Sequence, residues 1–158
     1  TYDQGRIDPK LDKSNKGIYM PVADVKWVEK VIKLAAQDIS KSKISIGVAT
    51  YGYEYTIKET SKNVYSYDRL TSFNPKYATD IATQYKITPK RNGAGELSFT
   101  YTATSTTNAT TTNLLWWSDA SAIKDKMSLA KKLGVKGISI FKIDGGADQN
   151  IWNILKNN

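Results

Sequence analysis

The stretch KISIGVATYGYEY at 43–55 decides how this chain is read. From Ile44 to Tyr51 it is short, rich in β-branched residues and apolar at nearly every position. A strand with one wet face alternates apolar with polar. A strand covered on both faces does not, and cover on both faces is the condition of a parallel sheet. The run then passes into Thr50-Tyr51-Gly52-Tyr53. In parallel α/β proteins the carboxyl ends of strands face the site, so these residues are candidates by position.

Upstream, Val25, Val28, Ile32, Ala35 and Ile39 recur every three or four residues, one apolar face of a helix. Asp24 and Glu29 lie early in it and Lys33 late, the order the helix dipole favours. Residues 1–20 are polar and turn-rich, with Gly5, Pro9, Asn15 and Gly17, and read as a loop leaving a strand that ends at Tyr2-Asp3. Downstream, residues 52–72 read as loop or short strands. Asn74-Pro75 is a helix start, with Tyr77, Ile81 and Tyr85 on one side. Leu97, Phe99 and Tyr101 alternate as a strand. The Thr-rich stretch 102–112 reads as loop, and Leu114 to Trp117 as a returning strand. Asp119 caps a helix carrying Ile123, Met127, Ala130 and Leu133, and Gly134 ends it. Val135 to Ile143 is a second buried strand. Asp148 to Leu155 is a short helix with Ile151, Trp152 and Leu155 on one side.

Setting residues 52–117 aside as an α+β insertion leaves strand end, helix, strand, helix, strand, helix. That alternation implies right-handed βαβ units. Three such units are a small open α/β domain or the last three-eighths of a (β/α)8 barrel, which needs about 200 to 250 residues.

Composition narrows the chemistry. The 158 residues contain no cysteine and no histidine. Thiol nucleophiles, disulfides and Ser-His-Asp triads are thereby excluded. Catalysis would have to rest on carboxylates, Tyr, Lys or backbone donors. No apolar run reaches the length of a membrane helix. The net charge of +8 is spread along the chain without a like-charge block, which speaks for solubility or an anionic polymer more than for nucleic acid. No metal ligand set and no cofactor fingerprint emerges. Asp8 and Asp12 lack calcium-loop spacing, and Gly93-Ala94-Gly95 reads as a turn.

Tyr and Asp at one strand end and Tyr at the next suit sugar recognition: faces to stack on pyranose rings and polar tips for hydroxyl and amide groups. They equally suit capping a core, and spacing alone does not choose. Trp116 and Trp117 are adjacent and on a strand face opposite sides, so one is expected in the core and the other exposed. Asp119 reads as a helix cap only, Trp27 as packing, and Asn108-Ala109-Thr110 as an unused glycosylation pattern.

TYDQ at 1–4, WVEKVIKLAAQDISKSKISIGVATYGYEY at 27–55 and LLWWSDASAIKDKMSLAKKLGVKGISIFKIDGG at 114–146 together resemble the C-terminal part of a family 18 glycoside hydrolase. The pattern is most similar to bacterial cell-wall and spore-cortex N-acetylglucosaminidases. The resemblance implies a partial (β/α)8 TIM barrel, strands 6 to 8, from residues 1–51 and 118–158, with 52–117 as the insertion. It implies substrate-assisted retaining hydrolysis of β-1,4-linked N-acetylglucosamine polymers, chitin or peptidoglycan. By resemblance, Tyr2 aligns the N-acetyl group and Asp3 contacts sugar or acid, while Tyr51, Tyr53, Phe141 and Trp116 bind substrate. Phe141 stands where the family has a Trp. The family's Asp-x-x-Asp-x-Asp-x-Glu is missing from these residues, so the general acid lies upstream of Thr1 and the chain alone is expected to be inactive. A non-catalytic carbohydrate-binding or assembly module is the alternative. Expected partners are an N-acetylglucosamine glycan and either the rest of a barrel or a second copy, at the outside or wall of a bacterium, with no nucleic acid.

Overall fold

The computed structural model describes residues 1–5, 17–104, 108–143 and 148–156. The fold is mixed α/β. Helix α1 (Val25–Ala35), a 3-10 turn (Lys41–Lys43) and β1 (Ser45–Ala49) come first. Strands β2 (Gly52–Ser61) and β3 (Val64–Phe73), helix α2 (Pro75–Gln84) and strands β4 (Lys90–Arg91), β5 (Leu97–Thr104) and β6 (Thr110–Trp117) follow. The chain then returns through α3 (Ala120–Leu133), β7 (Gly137–Phe141) and α4 (Gln149–Lys156).

Strands β1 and β7 pair in parallel, from Ser45 opposite Gly137 to Ala49 opposite Phe141. Helices α1, α3 and α4 close over this pair through Val28, Ile32, Ile46, Val48, Ile123, Leu129 and Ile151. The other five strands form an antiparallel sheet in the order β3-β2-β6-β5-β4. Local chemistry sets the helix ends. Asp24, Asn74 and Asp119 each accept a backbone N–H at their helix starts, from Lys26, Tyr77 and Ala122. Gly134 stops α3 at φ 67°, a conformation glycine adopts without strain.

The two sheets meet at Gly52, which pairs with both Phe73 and Trp117. A Cβ there would lie 2.4 Å from the Trp116 carbonyl oxygen and 2.4 Å from the Trp117 Cβ, so only glycine fits.

Several local expectations need correction. Residues 52–73 are a hairpin of two ten-residue strands, not loop or short strands. Their outer residues are Lys, Glu, Thr and Ser, which hid the period. Ile39 lies beyond α1 and is exposed. Helix α2 buries Pro75, Ala78 and Ala82, so Tyr77 and Tyr85 sit on its flank. The threonine-rich stretch is largely strand, since β5 runs to Thr104 and β6 starts at Thr110. Both Trp116 and Trp117 are buried, because the five-stranded sheet is covered on both faces. Tyr19, Val22 and Trp116 lie on one side, and Ala78, Phe99 and Trp117 on the other. Residues 1–4 form no ladder. They lie beside β1, where the Thr1 hydroxyl donates to the Gly47 carbonyl at 2.8 Å.

Candidate functional site

Tyr2, Tyr51 and Phe141 converge at the carboxyl ends of β1 and β7. Ring centroids are 6.2 Å apart for Tyr2 and Tyr51, 5.8 Å for Tyr2 and Phe141, and 6.1 Å for Tyr51 and Phe141. Tyr2 stacks on Phe141 with an interplanar angle of 15°, and Phe141 is half exposed. Tyr53 joins edge-on to Tyr51 at 5.5 Å. The four rings form one aromatic cluster. Tyr51, Tyr53 and Phe141 border a cleft of about 690 Å³ with Asp3, Arg69 and Lys142 among its walls, and Tyr2 packs behind them against Tyr51 and Phe141.

Asp3 is the carboxylate of the cleft. Its Oδ1 accepts the hydroxyls of Tyr51 at 2.7 Å and Tyr53 at 2.6 Å. Its backbone sits at φ 60°, a left-handed conformation that Asp tolerates better than most residues. Gln4, fully buried, fixes this turn. Its N–H donates to the Val22 carbonyl, its side-chain oxygen accepts the Asp24 N–H at 2.8 Å, and its amide donates to the Tyr19 hydroxyl. Burial first, then the bond to Asp3, pushes the Tyr51 phenol far above its ordinary range. Tyr53 is raised for the same reasons in the same order. Both phenols therefore remain neutral donors at any working pH.

The wall opposite is supplied by β3 and the start of α2. Arg69 lies over the Tyr53 ring, its Cζ 3.9 Å from the centroid. Thr50 ties the far rim to β7: its hydroxyl donates to the Lys142 carbonyl at 2.6 Å and accepts the Lys142 N–H at 3.0 Å.

Two glutamates lie close by in sequence but are spent elsewhere. Glu54 is buried and accepts from Tyr77, Tyr101 and Asn113. Glu96 is fully buried and accepts the N–H groups of Val22 and Ala23, the Trp116 indole and the Ser118 hydroxyl, with the Lys126 ammonium 3.5 Å away. Glu96, with four donors, fills the acceptor sites of a carboxylate, and Glu54, with three, is engaged on both oxygens. Trp116 is therefore corrected. It is 2% exposed, edge-on to Tyr19, with its N–H on Glu96, and it does not line the aromatic cleft. Asp119 does more than cap α3: Arg91 grips it with both guanidinium nitrogens. Burial opposes ionisation of Asp119, but Arg91 and the Ala122 N–H outweigh it and hold the carboxyl below the usual range. Asp8, Asp12 and Asp144 lie outside the described residues. No group of three or more potential metal ligands occurs among the described residues.

The structure brings Tyr2, Asp3, Tyr51, Tyr53 and Phe141 together. Sequence reading did not single out Arg69 or Gln4. The one signal for Gln4 is its place directly after Tyr-Asp. Arg69 gave none, because its stretch was read as loop.

No family model matches the chain. Among curated proteins it is 21% identical over 136 residues to the uncharacterized glycosylase YvbX of Bacillus subtilis, covering 85% of this chain and 36% of that protein. It is 28% identical over 134 residues to the cortical fragment-lytic enzyme of Bacillus subtilis, covering 85% of this chain and 29% of that one. The chain thus spans about a third of the length of the curated relatives it matches. Among solved structures, the Bacillus megaterium spore cortex-lytic enzyme SleL superposes with TM-score 0.69 at 28% identity, over 90% of this chain and 32% of that one. A chitinase from Chromobacterium violaceum superposes with TM-score 0.70 at 22% identity, over 90% of this chain and 41% of that one, a likeness of fold. The chain is therefore similar to spore cortex-lytic enzymes and chitinases, as its motifs implied.

Proposed function

We propose that this chain is the part of a (β/α)8 glycosidase domain that carries strands 6 to 8. Residues 1–51 and 118–158 make the barrel segment, and 52–117 the α+β insertion. Its substrate is a β-1,4-linked N-acetylglucosamine polymer of the bacterial wall, met at the cell wall or outside the cell. The observation that carries the reading is the cluster of Tyr2, Asp3, Tyr51, Tyr53 and Phe141 at the strand ends, beside one open cleft. The remainder of a barrel, or a second copy, would complete the fold.

Hydrolysis of this kind needs an acid to protonate the leaving oxygen while the substrate's acetamido oxygen attacks the anomeric carbon. The residues of the cleft serve the second half of that step. Phe141 and Tyr2 offer stacked rings to the sugar. The Tyr2 hydroxyl aligns the acetamido group. Asp3 is held in place by two neutral phenols on Oδ1, and its other oxygen accepts the acetamido N–H, which makes the acetamido oxygen a better nucleophile. The acid is a glutamate outside these 158 residues, since Glu54 and Glu96 are buried and engaged by three and four donors of their own.

A second reading has one observation in its favour: none of the described residues that line the cleft is a glutamate. A module that binds glycan without cutting it would look the same. A chromogenic N-acetylglucosamine oligomer separates the two. The 158-residue chain alone is expected to give no turnover. A longer protein with an Asp-x-x-Asp-x-Asp-x-Glu segment ahead of it is expected to turn over, and to lose roughly 10²- to 10³-fold in kcat on Tyr2→Phe. Turnover by the 158 residues alone would sink the assignment of the acid. Full activity of Tyr2→Phe in the longer protein would sink that of Tyr2.

A further inference from the structure

We infer that Arg69 makes the cleft selective for acidic amino-sugar chains, by binding a carboxylate carried on the sugar next to the N-acetylglucosamine that occupies it. The inference rests on the glycan reading above and narrows its substrate class.

The argument starts from a defect in the β2–β3 ladder. Tyr53 pairs with Ser72 and Glu54 with Thr71, but Tyr55 then pairs with Arg69, so Leu70 has no partner. Residues directly opposite in an antiparallel pair share a face, and residues two apart on a strand share it too. An unbroken ladder would put Leu70 beside Tyr53 and Tyr55 and turn Arg69 to the other face. The extra residue reverses this. Arg69 comes onto the Tyr53 face and into the cleft wall, while Leu70 is left 53% exposed. Bulges next to binding sites re-aim side chains in this way. The contact of Arg69 with the Tyr53 ring that the bulge creates is worth less at an exposed site than the burial of a leucine.

The arginine so placed is suited to an anion. Its guanidinium is held against the Tyr53 ring at 3.9 Å. That contact organises one face of the group, while its N–H donors project from the edges. No carboxylate among the described residues pairs with it. Asp68 precedes it and points to the opposite face of the strand, and Oδ1 of Asp3 is engaged by the two tyrosine hydroxyls. A planar fork of donors matches a carboxylate in two places at once. A neutral chitin-type chain offers nothing that needs this charge. An amino-sugar chain whose alternate residues bear an acidic substituent does. The carboxylate can sit on an ether branch of the sugar itself or on a peptide attached to it.

The test measures binding of the 158-residue chain by NMR titration against four tetrasaccharides. One is all N-acetylglucosamine. One alternates it with the 3-O-lactyl sugar carrying free carboxylates. The third has those carboxylates capped as methyl amides. The fourth has them amide-linked to an alanyl-glutamate dipeptide. The free-acid chain is expected to bind about tenfold tighter than the neutral and capped chains at low salt. The preference should fall to within about twofold in Arg69→Met, which keeps an apolar stem over Tyr53, and at about 0.5 M salt for the unaltered protein. Arg69→Lys should retain part of it. Preference for the dipeptide chain alone, lost in Arg69→Met, also supports Arg69 and puts the carboxylate on the peptide branch. Equal affinity for neutral and acidic chains overturns the inference and leaves the glycan reading standing. So does a preference that survives Arg69→Met or high salt. Failure of all four to bind overturns both.

Discussion

The cleft and the interior of the five-stranded sheet are built from the same pair of residue types, tyrosine and a carboxylate, with opposite results. At the cleft, Asp3 is exposed, two hydroxyls share one of its oxygens, and the surrounding rings leave a face open. Within the five-stranded sheet, Glu54 is buried under cover of α2 and meets three donors, Tyr77, Tyr101 and Asn113. Burial and the number of donors decide which carboxylate serves chemistry. Residue type alone does not.

The comparison is broken most severely at Glu96. Glu96→Ala removes the acceptor of two backbone N–H groups, an indole and a hydroxyl, and strands the buried Lys126 ammonium. A loss of about 3 to 5 kcal/mol in unfolding free energy is expected from urea titration, partly recovered when Lys126→Met removes the orphaned charge. A loss below about 1 kcal/mol would mean that the carboxylates buried around the five-stranded sheet are not structural.

Next come the two tyrosine-bound acids side by side. Glu54→Gln turns an acceptor pair into a donor and an acceptor facing donors, for about 1 to 3 kcal/mol by the same titration. Asp3→Asn, at an open site, should cost less than about 1 kcal/mol yet weaken glycan binding measured by NMR. Equal stability losses would erase the distinction drawn between the regions.

The smallest expected effect lies at a joint between them, where Arg91 of β4 grips Asp119 at the start of α3. Arg91→Ala should cost about 0.5 to 1 kcal/mol, because the pair is partly exposed. The folded Asp119 ionises below the usual carboxylate range. Its contribution is thus present above about pH 4 and lost as pH falls through the folded value. The gap between wild type and variant, followed by thermal unfolding, should close on acidification. A gap that persists at the lowest pH would point to packing rather than charge.

Much of the fold could be read locally. Asn74, Asp119 and Gly134 announce helix ends through one hydrogen bond or one dihedral, and these need no tertiary context. The apolar run before Tyr51 gave the parallel strand for the same reason. The hairpin at 52–73 was hidden because its tip is wet on both faces and because the unpaired Leu70 breaks the alternation that would reveal it. Trp116 was misassigned because the sequence does not show that a second layer, residues 19–22, covers its face of the sheet. In the site, strand ends pointed to Tyr51, Tyr53 and Phe141. Arg69 reaches the same cleft only through the register of a strand pair, which no local pattern encodes.

The glycine at the joint between the sheets bears on how such a protein can be taken apart. With the Trp116 carbonyl and the Trp117 Cβ each 2.4 Å from where a side chain would begin, position 52 tolerates no substitute. The five-stranded sheet is therefore not a cassette to be cut out at the end of β1 and grafted on another scaffold. Its boundary runs through Gly52, Phe73 and Trp117 together, and a transplant would have to move those three as one piece or rebuild the seam from the beginning.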